Sequence, residues 1–203
     1  RDQPRSRGLG DVYKRQGNYS DLDFKERVNA DLANNIGNLL NRTLNMQVKY
    51  FDGEIKPEFI TDADNEIAKE ALKTVQLVKN RFDKYEVAEA AQEIVNFSNT
   101  VNKYVNDTAP WSLAKEGKLE ECAKVLYNVL ESMRFIAALL APYTPNISQD
   151  VYEQLNRSEK AVDVKLDELK WGEIPVGKIT EKEKIKPVFL RLDSEIAGAA
   201  KKG

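Results

Sequence analysis

Apolar residues recur at three- and four-residue steps along most of the chain, and this spacing predicts helices. Glycine and proline interrupt the pattern, as in FDGEIKP at 51–57 and APYTPN at 141–146. Because short connections join the periodic stretches, we expect an all-α fold, an antiparallel helical bundle. The predicted helices cover about residues 21–50, 61–84, 86–106, 118–141 and 146–156.

The C-terminal residues 158–203 lack this helical period. The stretches WGEIPVGKIT and IKPVFLRLD combine proline, glycine and short apolar runs, which favour extended segments and turns. We therefore predict two parts, a helical bundle of residues 17–157 and a partly extended C-terminal tail of residues 158–203.

The first sixteen residues, RDQPRSRGLGDVYKRQ, have a different origin from the rest in our interpretation. Five basic residues against two acidic ones would suit an arm that binds nucleic acid. However, residues 11–16 read as the translation of a transposon end used in sequencing libraries, and residues 6–10 read as the adjoining primer in the same frame. We therefore treat residues 1–16 as a non-native, adapter-derived segment. The native chain would then begin near Gly17, at a cut inside a longer gene.

Removing this segment changes the charge balance. The 31 basic and 33 acidic residues of the whole chain fall to 26 and 31, a net charge of −5. Proteins that bind polyanions without selectivity are usually basic. Any contact with nucleic acid is therefore expected to be local.

The composition excludes several kinds of site. The chain has no histidine, which removes most zinc sites, His-based acid–base catalysis, Ser-His-Asp triads and the Glu-x-x-His ligands of bundle-type metal oxidases. We expect no metal site. The single cysteine, Cys122, lies on the apolar face of the fourth predicted helix, which indicates a buried thiol in a reducing compartment. No run of 18 apolar residues predicts a membrane span.

The first predicted helix is rich in asparagine, a poor helix former. Asn38 and Arg42 lie four residues apart, so their side chains share one face of the helix. This face could be merely solvated, as most charged helix positions are, or it could recognise a ligand. The asparagines of this helix are Asn29, Asn34, Asn35, Asn38, Asn41 and Asn45.

A tryptophan stands in the polar stretch NDTAPWSLAKEGK between the third and fourth predicted helices. In one interpretation Thr108 or Asp107 caps a short helix, Pro110 occupies its first turn and the Trp111 indole packs on the bundle. In the other, the indole is exposed and stacks on unpaired RNA bases. Helices one and three of an up-down-up bundle run the same way, so Arg42 and Trp111 could face a common ligand at one pole.

Two long segments, VNADLANNIGNLLNRTLNMQVKYFDG at 28–53 and YVNDTAPWSLAK at 104–115, closely resemble the anticodon-binding domain of the class I methionyl-tRNA synthetases. PYTPNISQDVYEQL at 142–155, and WGEIPVGKI with KPVFLRLD within 171–193, continue the resemblance in order. Related synthetases for valine, leucine and isoleucine also carry helical anticodon domains. The segment NADLANNIGNLLNR and the later APW favour methionine.

The resemblance implies that Asn38 and Arg42 read anticodon bases and that Trp111 stacks on one. Cytosine, the first base of the methionine anticodon, offers the acceptors N3 and O2 and the donor N4–H₂. The Arg42 fork and the Asn38 amide can match these groups. Uracil would present N3–H to the guanidinium, donor against donor, an arrangement that gives strong discrimination.

The resemblance also implies the partners and the location. It implies methionine tRNA with its CAU anticodon loop as the partner, a cytoplasmic location and no membrane contact. The HIGH-type and KMSKS nucleotide-binding signatures of the family do not occur in the chain, so we expect no catalytic residue and no cofactor in this fragment.

A catalytic domain in cis, upstream of Gly17, would use ATP and Mg²⁺ to activate methionine and transfer it to tRNA. The tail of residues 158–203 would pack back on the bundle or on that catalytic domain. The alternative is a helical protein-interaction bundle with no RNA role, in which Trp111 belongs to the core while Asn38 and Arg42 are ordinary surface residues.

Overall fold

The computed structural model describes Glu26 and residues 28–189. Within this part a π-helical segment, Val28–Gly37, leads directly into the first of the α-helices. Two short strands, β1 (Glu54–Ile55) and β2 (Gly177–Lys178), form an antiparallel pair. The predicted all-α bundle is confirmed. Its helices are α1 (Asn38–Phe51), α2 (Glu66–Phe82), α3 (Val87–Thr108), α4 (Pro110–Lys115), α5 (Leu119–Leu140) and α6 (Pro145–Gln154).

The first helix differs from its predicted form. We predict one regular helix over 21–50, whereas the described part is π-helical before Asn38 and α-helical after it. Asparagine side chains compete for hydrogen bonds with a regular helical backbone. The Asn35 side chain, inside the π-helical segment, donates to Ser98 Oγ and Asn99 Oδ1 on α3. The predicted start near residue 21 lies outside the described residues.

The second helix begins later than the predicted residue 61. Asn65 caps it, because the Asn65 side chain accepts a hydrogen bond from the backbone N–H of Ala68 at 2.9 Å. Thr61 instead donates its hydroxyl hydrogen to Asn128 Oδ1 on α5. Thr61 is therefore used in tertiary packing before the helix starts.

The core is arranged around α5, which is buried almost continuously from Cys122 to Leu140. Helices α1, α2, α3, α4 and α6 all contact it. Cys122 is fully buried, and this burial raises the pKa of its thiol to about 11. The predicted buried thiol is present. Among the described helices, none combines the length and the apolar character that crossing a membrane requires.

The described part of the tail, up to residue 189, returns along the bundle. Its strand β2 pairs with β1, and the backbone N–H of Ile179 donates to the Gly53 carbonyl at 2.9 Å. A Cβ at Gly53, where φ is +72°, would lie 2.1 Å from the Thr180 carbonyl oxygen, so this approach requires glycine. The Trp171 ring packs on Phe135 with centroids 5.8 Å apart.

The boundary between bundle and tail at residue 157 stays a prediction, although the described tail residues contact the bundle. The adapter-derived segment of residues 1–16 lies outside the described residues, as does the end of the tail after residue 189.

Candidate nucleic-acid interface

The face between α1 and α3 holds two of the three predicted site residues. Asn35, just before α1, bonds to Ser98 and Asn99, and Arg42, about two turns later, bonds to Asn102. Residues later in the first segment therefore contact residues later in α3, so α1 and α3 run in the same general direction. This is the layout that an up-down-up bundle predicts.

Arg42 is half-buried on this face. Its Nη2 donates to Asn102 Oδ1 at 3.2 Å, while its Nε is buried with no hydrogen-bond partner in the described part of the chain. Burial lowers the pKa of Arg42 from its ordinary value, but a guanidinium titrates so far above neutral pH that it stays charged. Arg42 thus keeps a positive charge and has hydrogen-bonding capacity to spare.

The electrostatic setting of Arg42 is unlike that of the other described arginines. Each of the others forms an ion pair with at least one carboxylate, whereas the partner of Arg42 is a neutral amide. No ion pair of Arg42 exists among the described residues. The paired arginines are Arg81 (with Glu86 and Glu93), Arg134 (with Glu131 and Glu173) and Arg157 (with Glu159).

The partner of Arg42 belongs to what we call the amide network, formed by Asn35, Ser98, Asn99 and Asn102. The Asn102 side-chain nitrogen donates to Asn35 Oδ1 and to the Ser98 carbonyl. The Asn35 nitrogen donates to Ser98 Oγ at 2.9 Å and to Asn99 Oδ1 at 2.7 Å. These bonds tie α3 to the segment that precedes α1.

Asn38 begins α1, one helical turn before Arg42. Its side chain is exposed, and it makes no hydrogen bond to any described residue. Because residues four apart lie on one helix face, the exposed Asn38 amide and the half-buried Arg42 guanidinium lie on the same side of α1.

Trp111 lies on the short helix α4. Ala109 adopts the left-handed conformation, with φ of 40°, and this turns the chain between α3 and α4. Pro110 occupies the first turn of α4, as one interpretation of the sequence expects. That interpretation also expects a side-chain cap from Thr108, but the Thr108 hydroxyl donates to the Tyr104 carbonyl instead, and no side chain caps α4.

The exposure of Trp111 bears on both interpretations of the indole. Trp111 keeps 36% of its surface exposed, whereas its neighbour Pro110 is buried. The indole therefore packs partly on the protein and stays partly open to solvent. From Asn102, the partner of Arg42, to Ala109 the rise along α3 is about 10 Å at 1.5 Å per residue. A few nucleotides of extended chain can bridge such a distance.

The chemistry of this face is limited to hydrogen bonding, charge and stacking. No hydrogen bond joins Asn38, Arg42 and Trp111 to one another. Within the part of the chain that the structure describes, no group of three or more His, Cys, Asp or Glu side chains could hold a metal ion. The arrangement suits recognition of a polar, aromatic ligand.

The sequence-based prediction does not include Asn102, Ser98 and Asn99, which bond to Arg42 and Asn35 in the structure. A signal for them exists in the third helix, where asparagines recur at steps of three and four residues. This spacing places them on adjoining faces of one helix. It gives no information on which of them meets Arg42. The asparagines in question are Asn96, Asn99, Asn102 and Asn106.

Comparison with known proteins gives consistent matches. The family described as "Anticodon-binding domain of tRNA ligase" matches residues 64–190. A methionine–tRNA ligase of Caldanaerobacter subterraneus subsp. tengcongensis is 37% identical over 193 residues, which cover 92% of this chain and 29% of that protein. A methionine–tRNA ligase of Listeria monocytogenes is 38% identical over 185 residues, with 89% and 27% covered.

Solved structures agree with these relatives. The apo crystal structure of Mycobacterium tuberculosis methionyl-tRNA synthetase superposes with a TM-score of 0.69 at 29% identity, and the match covers 86% of this chain and 35% of that one. The same enzyme bound by methionyl-adenylate gives a TM-score of 0.70, with 85% and 34% covered. This chain therefore spans about a third or less of the length of each of these proteins.

The resemblance predicted from the two long segments is thus confirmed by proteins named as methionine–tRNA ligases. The family match includes Trp111 and extends through the described tail. It covers well over half of the chain, and the fold around it is the predicted helical bundle. The chain belongs to the family of anticodon-binding domains of tRNA ligases.

Proposed function

We propose that this chain recognises the CAU anticodon loop of methionine tRNA as part of a methionine–tRNA ligase. The observation that carries the proposal is the half-buried Arg42, which among the described residues bonds only to the neutral Asn102 and lies one turn from the exposed Asn38 amide. An arginine that holds no carboxylate keeps its charge and its donor fork for a ligand.

Base selection follows from donors and acceptors. Cytosine presents N3 and O2 as acceptors, which the outward edge of the Arg42 guanidinium can match with its donors. The Asn38 carbonyl can accept from N4–H₂ of the same base. Uracil places N3–H against the guanidinium, so a donor faces a donor and the pairing is lost.

Trp111 would supply stacking to an unpaired base of the same loop. Its partly exposed indole lies on α4, two residues after Ala109, and Ala109 is about 10 Å along α3 from the level of Asn102. Stacking of one base on an aromatic side chain contributes about 1–3 kcal/mol and does not depend strongly on which base it is. Trp111 would thus add affinity, while Asn38 and Arg42 select the base.

The activity of the whole ligase belongs to the same proposal. The relatives are more than three times as long as the matched part of this chain. We place the activation of methionine, with ATP and Mg²⁺, in a catalytic domain in cis that is not part of this chain, and we place the whole enzyme in the cytoplasm. A mismatched anticodon would then seat poorly here and misplace the acceptor end in that remote domain.

The test is a titration of the 203-residue chain with three anticodon stem-loops, CAU, UAU and CUA, at one stated salt concentration. We expect the CAU loop to bind about 5- to 150-fold more tightly than the UAU loop, since one matched base is typically worth about 1–3 kcal/mol. The variant Arg42→Ala should lose this preference. Arg81→Ala, which removes an ion-paired arginine from the surface, is the matched control and should retain it.

A second candidate function remains testable in the same experiment. Equal, weak binding of all three loops would contradict anticodon recognition and would favour a protein-interaction bundle. Retention of the CAU preference by Arg42→Ala would contradict the assignment of Arg42 as the base reader.

A further inference from the structure

The amide network has a defined polarity. The Ser98 carbonyl is a backbone acceptor, and the Asn102 side-chain nitrogen donates to it at 3.1 Å. The same nitrogen also donates to Asn35 Oδ1. Since an amide has its nitrogen and oxygen on opposite sides, the Asn102 oxygen must face Arg42.

The orientation of Asn35 is fixed in the same manner. Its nitrogen donates to Ser98 Oγ and to Asn99 Oδ1, which leaves its oxygen to accept from Asn102. The Ser98 hydroxyl donates in turn to the Val95 carbonyl at 2.7 Å, so that oxygen is free to accept. Each amide is therefore oriented by a backbone carbonyl of α3. Asn102 bonds directly to the Ser98 carbonyl, and Asn35 is linked to the Val95 carbonyl through the Ser98 hydroxyl.

The consequence for Arg42 is a guanidinium that is held at one point and that no carboxylate of the described residues neutralises. Asn102 Oδ1 holds one edge of the group through Nη2. A carboxylate in that place would hold it more strongly, but it would also occupy the donor fork and cancel the charge. The ion pairs of Arg81, Arg134 and Arg157 show that carboxylates are the usual partners in this bundle.

We propose that Asn102 is a positioning residue for Arg42 and thereby a determinant of base selection at the anticodon face, an inference that rests on the proposed function. Asn102 touches no base in this proposal. It sets the direction of the Arg42 donors and leaves the charge of Arg42 available to the RNA. Asn35 acts one step further away by orienting the Asn102 amide.

Two substitutions at position 102 separate these two effects. Asn102→Ala removes the acceptor and leaves Arg42 charged but free to change its direction. We expect the ratio of CAU to UAU affinity to fall by roughly tenfold, in keeping with the loss of one hydrogen bond to a charged group. Asn102→Asp keeps the acceptor and pairs Arg42 with a carboxylate, but it also removes the amide donor to Asn35 Oδ1 and to the Ser98 carbonyl. We expect weaker binding of every loop and a smaller salt dependence, because one cation is neutralised.

Two control variants test whether an added negative charge on α3, or the loss of any polar side chain on α3, is enough to change base selection. Asn96 is exposed on the same helix, about two turns from Asn102, and its side chain accepts from Gln92 rather than from the amide network. Asn96→Ala and Asn96→Asp should leave the CAU to UAU ratio unchanged. Circular dichroism of all variants checks that helix content is retained, and Asn102→Asp, which preserves side-chain shape, tests the proposal if Asn102→Ala does not fold.

A double-mutant cycle decides whether Asn102 acts through Arg42. If it does, adding Asn102→Ala to Arg42→Ala should change affinity by no more than about twofold, because the second residue has nothing left to position. Full discrimination by Asn102→Ala, or an undiminished further loss in the double variant, would overturn the inference while leaving the proposed function intact. Absence of discrimination in the wild-type chain would instead overturn the proposed function.

Discussion

Arg42 is half-buried and Arg134 is fully buried in the same bundle, and their electrostatic settings are opposite. Arg134 is 1% exposed and bonds to Glu131, Glu173 and the Lys170 carbonyl. Arg42 is half-buried and bonds only to the neutral Asn102 among the described residues. The Arg134 guanidinium is therefore paired on several sides, whereas the Arg42 guanidinium is only partly paired among the described residues.

The pKa shifts of the two groups differ in sign for this reason. Burial lowers the pKa of Arg134, but the charges and hydrogen bonds of Glu131, together with Glu173, outweigh burial and raise it overall. Burial also lowers the pKa of Arg42, and within the described part of the chain no carboxylate opposes this shift. The charge of Arg42 is therefore stabilised less by the protein, so binding of an RNA acceptor would stabilise it more.

The two regions also differ in what they join. Glu131 accepts from the backbone N–H of Ile174 as well as from Arg134, so this cluster connects the tail to the central helix α5. The amide network connects α3 to the segment before α1 and ends at an open face. The charged cluster therefore links buried segments of the fold, whereas the neutral network leaves Arg42 without a carboxylate partner among the described residues.

The largest expected effect is on stability. Arg134→Met leaves Glu131 buried and without its charged partner, so the free energy of unfolding should fall by about 3–5 kcal/mol. Arg42→Met, the matched substitution, breaks one hydrogen bond of a charged group at a half-buried site and leaves no described carboxylate buried and unpaired, so the loss should be about 1–2 kcal/mol. Urea unfolding followed by circular dichroism measures both. Equal losses would remove the distinction between the two regions.

An effect of intermediate size is expected at high pH in the buried region around Arg134. Burial raises the pKa of Tyr152 to about 12 from its ordinary value of 10, and the charge of Arg134 opposes this shift. Because the folded state keeps the phenol protonated, its contribution to stability is complete below pH 10 and is lost as pH rises from 10 to 12. Two pH units correspond to about 2–3 kcal/mol.

The measurement is urea unfolding of the wild type and of Tyr152→Phe at several pH values between 8 and 12. The variant should lose less stability over this range than the wild type does. Some loss should remain, because burial also raises the pKa of Tyr127. Tyr85→Phe, at a side chain that is 91% exposed, is the control and should behave as the wild type does. If the unfolding free energy of Tyr152→Phe fell with pH as steeply as that of the wild type, the folded state would not be keeping the Tyr152 phenol protonated.

The smallest effect concerns the open side, at Trp111. Trp111→Ala should weaken binding of the CAU loop by about 5- to 150-fold, the range expected for one stacked base. The CAU to UAU ratio should change little, since stacking is tolerant of base identity. Stem-loop titration measures this, and the unfolding midpoint should stay near that of the wild type. A large loss of stability with unchanged binding would return Trp111 to the core interpretation.

Much of the fold could be predicted from the sequence because helix faces repeat locally. The three- and four-residue spacing of the apolar positions predicts α2, α3, α5 and α6 to within a few residues at most of their ends. Pro110 marks the start of α4, and the position of Cys122 on an apolar face indicates its burial. These features depend on neighbours within one or two turns.

Other features depend on contacts between distant segments and could not be predicted. The π-helical form of Val28–Gly37 accompanies bonds from Asn35 to residues 63 and 64 positions away. The late start of α2 reflects the use of Thr61 by Asn128, 67 residues away. In each case a polar side chain that could form a hydrogen bond within its own helix bonds to a residue of another helix instead.

The candidate site shows the same division. By itself, the sequence determined that Asn38 and Arg42 share a helix face and that both segments resemble an anticodon-binding domain, and it offered a helix start at Pro110 as one of two interpretations. Only the tertiary structure decided that Arg42 is held by Asn102 rather than by a carboxylate or by water alone. The physical reason is that periodicity fixes the direction of a side chain on its own helix, whereas its partner depends on how two helices pack.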